Sequence, residues 1–233
     1  MILVIKNPAL RRFLKIALPF VLMPAAIVLG SVVFGEKKYA WTILVLTVFS
    51  LLLFYAGFEK RTVGTRRMII IAVMTALSVA GRFVFAVIPG FKPITAIVII
   101  TAIWLGGESG FLVGSLSAVI SNFYFGQGPW TPFQMLGWGL IGLLAGYLHK
   151  PLKKSRVALS IYGVFAGLVY SLLMDVWSVL WYNSTFSWAL YWASLLTAIP
   201  YTVSYAASNV IFLLFMGRPF GEKLERVKIK YGV

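Results

Sequence analysis

The stretch Asn122-Phe-Tyr-Phe-Gly-Gln-Gly-Pro-Trp-Thr-Pro-Phe-Gln134 is uncharged and rich in aromatics, amides and turn formers. It lies inside a chain that is otherwise almost wholly apolar. Held at the edge of a bilayer by apolar helices, such a segment can close over a small molecule. Phe123, Tyr124, Phe125 and Trp130 supply flat apolar surface. Asn122, Gln127, Thr131 and Gln134 supply the few placed hydrogen bonds that orient a ligand in a pocket.

Working outward, the 233 residues are 61% hydrophobic and only 12% charged. A soluble domain of this size has no use for so much apolar surface, so the fold class is all-α, a polytopic transmembrane helical bundle. The formal charge of +15 raises the question of nucleic acid. The basic residues answer it, because they fall in short runs between apolar stretches, the pattern of membrane orientation. The partners expected are therefore a lipid bilayer and a small molecule, with no nucleic acid. There is no cysteine, which excludes disulfides and thiolate chemistry. One histidine and six carboxylates leave little material for a metal site, and no cofactor is expected. No phosphate-cradling Gly-x-x-x-x-Gly-Lys-Ser/Thr loop occurs, so this chain has no ATP site of that kind. Neither His-Glu-x-x-His nor Gly-x-Ser-x-Gly is present.

The apolar runs are Phe13–Phe34, Tyr39–Phe58, Met68–Ile88, Ile94–Leu105, Phe111–Phe125, Phe133–Leu148, Val157–Tyr182 and Trp188–Met216. The first is read as a retained helix rather than a cleaved signal, because it is long for a signal core and a second apolar run follows closely. A bilayer core of about 30 Å needs about 20 helical residues. Ile94–Leu105 is short, roughly 18 Å as a helix. It either extends at its ends or forms a re-entrant hairpin with the next run.

Charge sets the orientation. With the N-terminus in the cytoplasm, Lys6, Arg11, Arg12, Lys15, Lys60, Arg61, Arg66 and Arg67 all lie inside. So do Lys150, Lys153, Lys154, Arg156 and the basic residues of the tail. Outside remain Lys37, Lys38 and Lys92. This predicts a cell-membrane protein with both termini cytoplasmic and about eight spans. The polar linker Glu59–Arg67 divides the chain. Residues 1–67 are a two-helix appendage with its linker, 68–216 a six-helix core, and 217–233 a cytoplasmic tail.

Several features are candidates for function. Ala72, Ala76 and Ala80 recur every four residues and form one helical stripe, extended by Ser78 and Gly81. Small residues let another backbone approach closely in lipid, so the stripe serves either packing within the chain or docking of a second protein. Pro89-Gly-Phe-Lys-Pro93 is a defined turn on the same side as the aromatic stretch, and the pair reads as a lid. Arg82 and Asp175 sit at membrane depth, where an ionisable group has a partner or a function. They either pair with each other or touch substrate. Glu108 reads as a solvated turn residue, and His149 as a solvated flank. Tyr201, Tyr205, Ser208 and Asn209 form a polar stripe on the last span, lining a pocket or bonding to neighbours. Trp188 and Trp192 suit an interface belt.

These residues together resemble the substrate-binding S components of energy-coupling factor (ECF) vitamin transporters. The resemblance covers Met68 to Met216. It rests on Ala72-x-x-x-Ala76-x-x-x-Ala80, the Pro89–Pro93 loop, Gly110-Phe-Leu-Val-Gly114, Ser121 through Met135, and Gly137-Trp-Gly-Leu-Ile-Gly142. It implies a non-catalytic subunit that captures a vitamin at the outer face under its lid loops. That subunit then docks on a membrane scaffold subunit coupled to two cytoplasmic ATPases and topples to present its pocket inward. The alanine stripe is the family's docking surface, which gives that role to Ala72, Ala76 and Ala80. Position assigns the pocket to Phe91, Asn122, Phe125, Gln127, Trp130, Gln134, Asp175 and Asn209. Aromatic faces stack on a planar ring there and amides set its orientation. The match is nearest to cobalamin-type substrates, with riboflavin, pyridoxine-type compounds and queuosine precursors also open. The N-terminal helix pair departs from the six-helix pattern. Competing readings are a stand-alone permease, which would transport without an ATPase, and an intramembrane lipid-modifying enzyme, which would want clustered carboxylates or histidines that the chain lacks.

Overall fold

A computed structural model describes residues 7–30, 39–56, 65–183 and 186–231. The Glu59–Gly64 part of the basic linker, Lys6 and the Lys37–Lys38 pair lie outside the described residues. Among the described residues the structure is helical with short connections and contains no strand, as the composition demands.

Helix α1 (Pro8–Ala17) starts at Asn7, whose Oδ1 accepts from the Ala9 and Leu10 N–H groups at 2.9 and 3.2 Å. These donors have no partner within the helix, and the Asn side chain satisfies them. The chain then passes through a π-helical stretch, Leu18–Leu22, into α2 (Met23–Leu29). Pro19 and Pro24 lack the N–H that a regular ladder would use there, which accounts for the slip in register. Helix α3 (Tyr39–Ala56) packs on this rod and against α6 (Gly107–Phe125) and α7 (Trp130–Tyr147). Leu18, Met23, Leu46, Leu53 and Phe54 join the same buried cluster as the central helices. Lys15 ties the first helix to the first turn of α6 through Glu108, at 2.7 Å. Glu108 is thus an ion-pair partner rather than the solvated turn residue expected from sequence.

Among the described residues four helices are long and apolar enough to cross a membrane: Pro8–Leu29, α4 (Thr65–Val84), α9 (Arg156–Asn183) and α10 (Trp188–Tyr231). Ala40–Phe54 and α5 (Ile94–Leu105) are apolar but shorter. α5 is the centre of the bundle. All of its residues except Trp104 are buried, against α4, α6, α7 and α10. An all-round apolar surface suits a helix with neighbours on every side. Its carbonyl end is satisfied by Arg67, whose guanidinium donates to the Leu105 carbonyl and, at 3.0 Å, to Ser109 Oγ. Gly106 then takes φ +96° and turns the chain directly into α6, a conformation that costs a residue with a Cβ.

Helices α6 and α7 meet through their glycines. A Cβ on Gly110 would lie 3.2 Å from Gly142 Cα, one on Gly114 would lie 2.7 Å from the Trp138 carbonyl, and one on Gly146 would lie 2.2 Å from Gly107 Cα. Lipid offers helices no hydrophobic drive to associate, so close backbone contact of this kind supplies the attraction. Gly167 does the same between α9 and α10, where a Cβ would stand 2.7 Å from the Ala206 nitrogen.

The short helix α8 (His149–Lys154) links α7 to α9. Helix α10 continues past Gly217 to Tyr231, so the residues expected to form a separate tail are its last turns. They stay attached because Gly221 sits on the Trp104 ring and Leu224 is buried. Lys153 also reaches Glu225 at 3.1 Å. This end of the bundle collects most of the basic residues. The opposite end carries residues 85–93 and 126–129 and is called the lid end below.

Replacing Gly142 by Leu is expected to destabilise the bundle by about 1–3 kcal/mol or more, since nothing opposite it can yield without moving backbone. The check is the unfolding midpoint of the purified protein in detergent, which should fall well below that of wild type.

Candidate functional site

Helix α4 delivers Arg82 to the lid end, where its side chain is only 9% exposed. Its Nη1 donates to Ser121 Oγ at 2.5 Å and to Asn122 Oδ1 at 2.8 Å, both on the last turns of α6. Asn122 is fully buried and passes the network on, its Nδ2 donating to Thr131 Oγ1 and to Gln134 Oε1, each at 2.8 Å. Thr131 Oγ1 donates to Gln127 Oε1 at 3.0 Å, and Gln127 Nε2 donates to the Val119 carbonyl at 2.7 Å. The Phe125 ring lies 4.5 Å from the guanidinium carbon and the Trp138 ring 5.9 Å from it, close enough for the ring quadrupoles to stabilise the cation. Polar groups this deep cost free energy unless bonded, and this chain of bonds satisfies them across two helices and a loop.

Beside this network a small recess opens at the start of α5. Gly90, Lys92, Thr95, Trp138, Gly167, Tyr170, Tyr205 and Asn209 line it. Its volume is about 10 Å³, room for roughly one water. Trp138 stacks on Tyr170 at 4.9 Å with a 12° interplanar angle, and Tyr205 meets Tyr170 edge-on at 5.2 Å. The Lys92 ammonium lies 5.7 Å from the centre of the Tyr205 ring.

The Pro89–Pro93 loop closes the recess by bonding to α10. Ser204 Oγ donates to the Pro89 carbonyl at 2.8 Å. The Lys92 N–H donates to Ser208 Oγ at 2.8 Å, and Ser208 Oγ donates back to the Lys92 carbonyl at 3.0 Å. Gly90, at φ +75°, brings the loop against Ser204. A site for a vitamin-sized molecule holds about 300–1,000 Å³. Entry of such a molecule therefore requires this loop to leave α10.

The aromatic stretch is mostly helix. α6 runs to Phe125 and α7 starts at Trp130, so only Gly126–Pro129 connects them. Gly126, at φ +99°, ends the first helix. Helical phase then separates the four aromatics. Phe123 and Tyr124 are 78% and 73% exposed, while Phe125 and Trp130 are half-buried. Trp130 covers Gly128 and meets Trp177 at 5.7 Å.

The structure thus brings Asn122, Phe125, Gln127 and Gln134 into one assembly with Arg82, sets Trp130 against Gly128 and Trp177 and places Asn209 on the adjoining recess. Asn209 Nδ2 also donates to the Gly163 carbonyl at 3.0 Å, tying α10 to α9. Phe91 packs with Phe85 and Phe212 at 5.7 and 5.1 Å, anchoring the lid loop rather than facing the recess. Asp175 accepts from Ser194 Oγ at 2.8 Å, and its other oxygen, Oδ2, is buried without a hydrogen bond. Arg82 and Asp175 each have other bonding partners, so the ion pair considered from sequence is not formed.

Lys92, Trp138 and Tyr170 were not singled out from sequence. Lys92 carries a signal in retrospect: it lies between two prolines in a rim otherwise nearly free of charge. Trp138 lies between Gly137 and Gly139, whose missing side chains admit Tyr170 and Phe111 beside it. Tyr170 carries no signal, because only the packing of α9 on α7 gives it a role.

On the outer surface of α4, Ala72, Ala76 and Ala80 are all exposed, flanked by Ile69, Val73 and Leu77. Among the described residues no helix covers that face. Ser78 points the other way and is fully buried, and Gly81 lies beneath Pro93, so neither extends the stripe. Trp188 and Trp192 are exposed at the start of α10, the position of an interface belt.

Burial, with Arg82 nearby, lowers the Lys92 pKa from 10.5 to about 8. The groups facing it are Arg82 on α4, Tyr170 on α9 and Tyr205 on α10. Between those two values the unfolded chain binds more protons at this lysine than the folded one, so folding gains from rising pH. Wild type is expected to become more stable relative to Lys92→Met as pH rises from about 8 toward 10.5. Parallel unfolding curves of the two proteins across that range check it, and a constant difference would refute the assignment.

Known proteins bear on this geometry. No solved structure matches the chain. A UPF0397 protein of Aliivibrio salmonicida (strain LFI1238) is 25% identical over 165 residues, which is 66% of this chain and 87% of that protein. The sequence profile of the ECF-type riboflavin transporter, S component, matches residues 62–220, the α4–α10 bundle that carries the lid loops, the Arg82 network and the exposed alanine face. The chain belongs to that family, the non-enzymatic substrate-binding subunits of vitamin transporters.

Proposed function

We propose that the chain captures a ring-containing vitamin at the lid end and delivers it by docking α4 on a membrane scaffold subunit coupled to two cytoplasmic ATPases. The observation that carries this is a buried, bonded polar cluster with stacked aromatics beneath a short lid, in an otherwise apolar bundle. Riboflavin is the first substrate to test, because the family description names it. A cobalamin-type compound is second, on the resemblance of the motifs. The lid end faces outward and both termini face the cytoplasm, an orientation supported by the basic residues gathered at the other end.

The docking face is assigned to Ala72, Ala76 and Ala80. Their exposure supports it, because a stripe used for packing within the chain would be covered. Methyl groups let a partner's backbone approach closely, which a scaffold in lipid needs in order to hold the subunit. Phe125, Trp130 and Trp138 offer ring faces, and Asn122, Gln134 and Asn209 offer amides once the lid opens. Asp175 and Phe91 bound the region through α9 and the lid.

Two measurements test this reading. Ala76→Trp should abolish uptake by cells expressing the whole transporter, while the purified variant still binds the vitamin with unchanged affinity; normal uptake would remove docking from this face. Trp130→Ala should weaken binding by roughly 5-fold or more, given about 1 kcal/mol or more for a lost aromatic contact. Unchanged affinity by titration calorimetry would take Trp130 out of the site.

A further inference from the structure

We infer that the first helix carries a seat for an anionic phospholipid of the leaflet at the basic end, with its phosphate held by Arg11 and Arg12 and an acyl chain lying along Phe13, Ile16 and Val21. The seat is remote from the lid end and independent of which vitamin is captured.

The observation that carries it is a groove on the first helix. Its volume is about 980 Å³, and Arg11, Arg12 and Lys15 line it together with Phe13, Ile16 and Val21. That is room for a molecule of substantial size. Charge and apolar surface are separated along its length. The two arginines lie in the first turn and a half of α1. Val21 follows Arg12 by nine residues, roughly 14 Å along the axis at 1.5 Å per residue. The cationic part therefore lies at the end of the helix, and the apolar part runs on toward the middle of the bilayer. Phe13, Ile16 and Val21 are all exposed, so their surface is open to an acyl chain. A molecule with an anionic head and an apolar tail matches that order, whereas a small soluble anion matches only its first part.

Charge complementarity fixes the head. No acidic residue precedes Glu36 in the sequence, and none is among the described residues of the groove. Elsewhere at the basic end cations meet carboxylates, Lys153 with Glu225 and Arg226 with Glu222. On α1, Lys15 reaches Glu108, and the two arginines form the cationic pole of the groove. A planar guanidinium matches the oxygens of a phosphate, and basic residues beside apolar surface at the membrane boundary recognise anionic headgroups.

The seat gives the N-terminal helix pair a role. The pair precedes residues 62–220, the part that the family profile matches. Lys15 connects the groove to Glu108 in the first turn of α6, and Arg67 of α4 bonds Ser109 in the same turn. A lipid seated on α1 thus holds the pair against the core, and binding to the folded state alone stabilises it by mass action.

The test uses the purified full chain in detergent and two probes with identical acyl chains, phosphatidylglycerol and phosphatidylcholine. Lipid retention is read by native mass spectrometry and stability by the unfolding midpoint. Wild type is expected to retain the anionic lipid at least about tenfold more tightly, the effect of two basic residues at a headgroup. Arg11→Gln with Arg12→Gln should bring that preference below about threefold, and Arg11→Lys with Arg12→Lys should keep most of it, since the charge remains. Lys150→Gln with Lys154→Gln removes as much charge from exposed positions of α8 and should leave the preference unchanged. Ile16→Ser, which alters no charge, should weaken retention of phosphatidylglycerol by about threefold through lost apolar contact. Phosphatidylglycerol should raise the midpoint of wild type and not that of the glutamine variant at Arg11 and Arg12. Equal retention of the two lipids by wild type overturns the seat. So does a preference lost equally when Lys150 and Lys154 are replaced, which would mark a general charge effect of that end. Stabilisation by glycerol phosphate as large as that by phosphatidylglycerol, with Ile16→Ser silent, would mark a soluble anion instead and also overturns it.

Discussion

A buried guanidinium has to be satisfied from within, and at the lid end of this protein that requirement joins the elements together. Arg82 cannot reach water easily from an apolar bundle, so α6 must present Ser121 and Asn122 to it. Asn122 must in turn find acceptors for its own amide, which fixes Thr131 and Gln134 on α7. The connection between α6 and α7 is short because both of its ends are held by this network. A bonded chain of this kind specifies one arrangement, since each partial alternative leaves a polar group stranded.

The rest of the bundle supplies the frame by a different means. α6 and α7 approach to backbone contact at Gly107, Gly110, Gly142 and Gly146, and α9 approaches α10 at Gly167. Between them α5 is enclosed on all sides yet only 12 residues long. Its length is what creates the recess. A longer helix would fill the lid end with its own turns, whereas this one starts beneath the rim and leaves room for Lys92, Tyr205 and Asn209 to converge over its N-terminus.

A capture subunit needs an inner face that recognises and an outer face that lets a partner approach. α4 carries both. Arg82, Ser78 and Met74 point inward, while Ala72, Ala76 and Ala80 point outward one helical phase away. On that reading a change in partner contact along the alanine face acts on the same rigid element that positions the guanidinium. The lid loop leaves directly from the end of α4 and is fastened to α10 by Ser204 and Ser208.

The sequence by itself determined that this is an all-helical membrane bundle, that its basic residues gather away from the aromatic stretch, and that the alanine repeat forms one stripe. Those properties follow from composition and helical period, which are local. It also pointed to Asn122, Phe125, Gln127, Trp130, Gln134 and Asn209, because amides and aromatics are conspicuous among apolar residues. Only the tertiary structure decided that Phe123 and Tyr124 turn outward, that Glu108 pairs with Lys15, that the tail continues α10, and that Lys92, Trp138 and Tyr170 share one recess. The physical reason is that these outcomes depend on which helix faces which across the bundle, with partners up to 116 residues apart along the chain, and no local pattern encodes that distance.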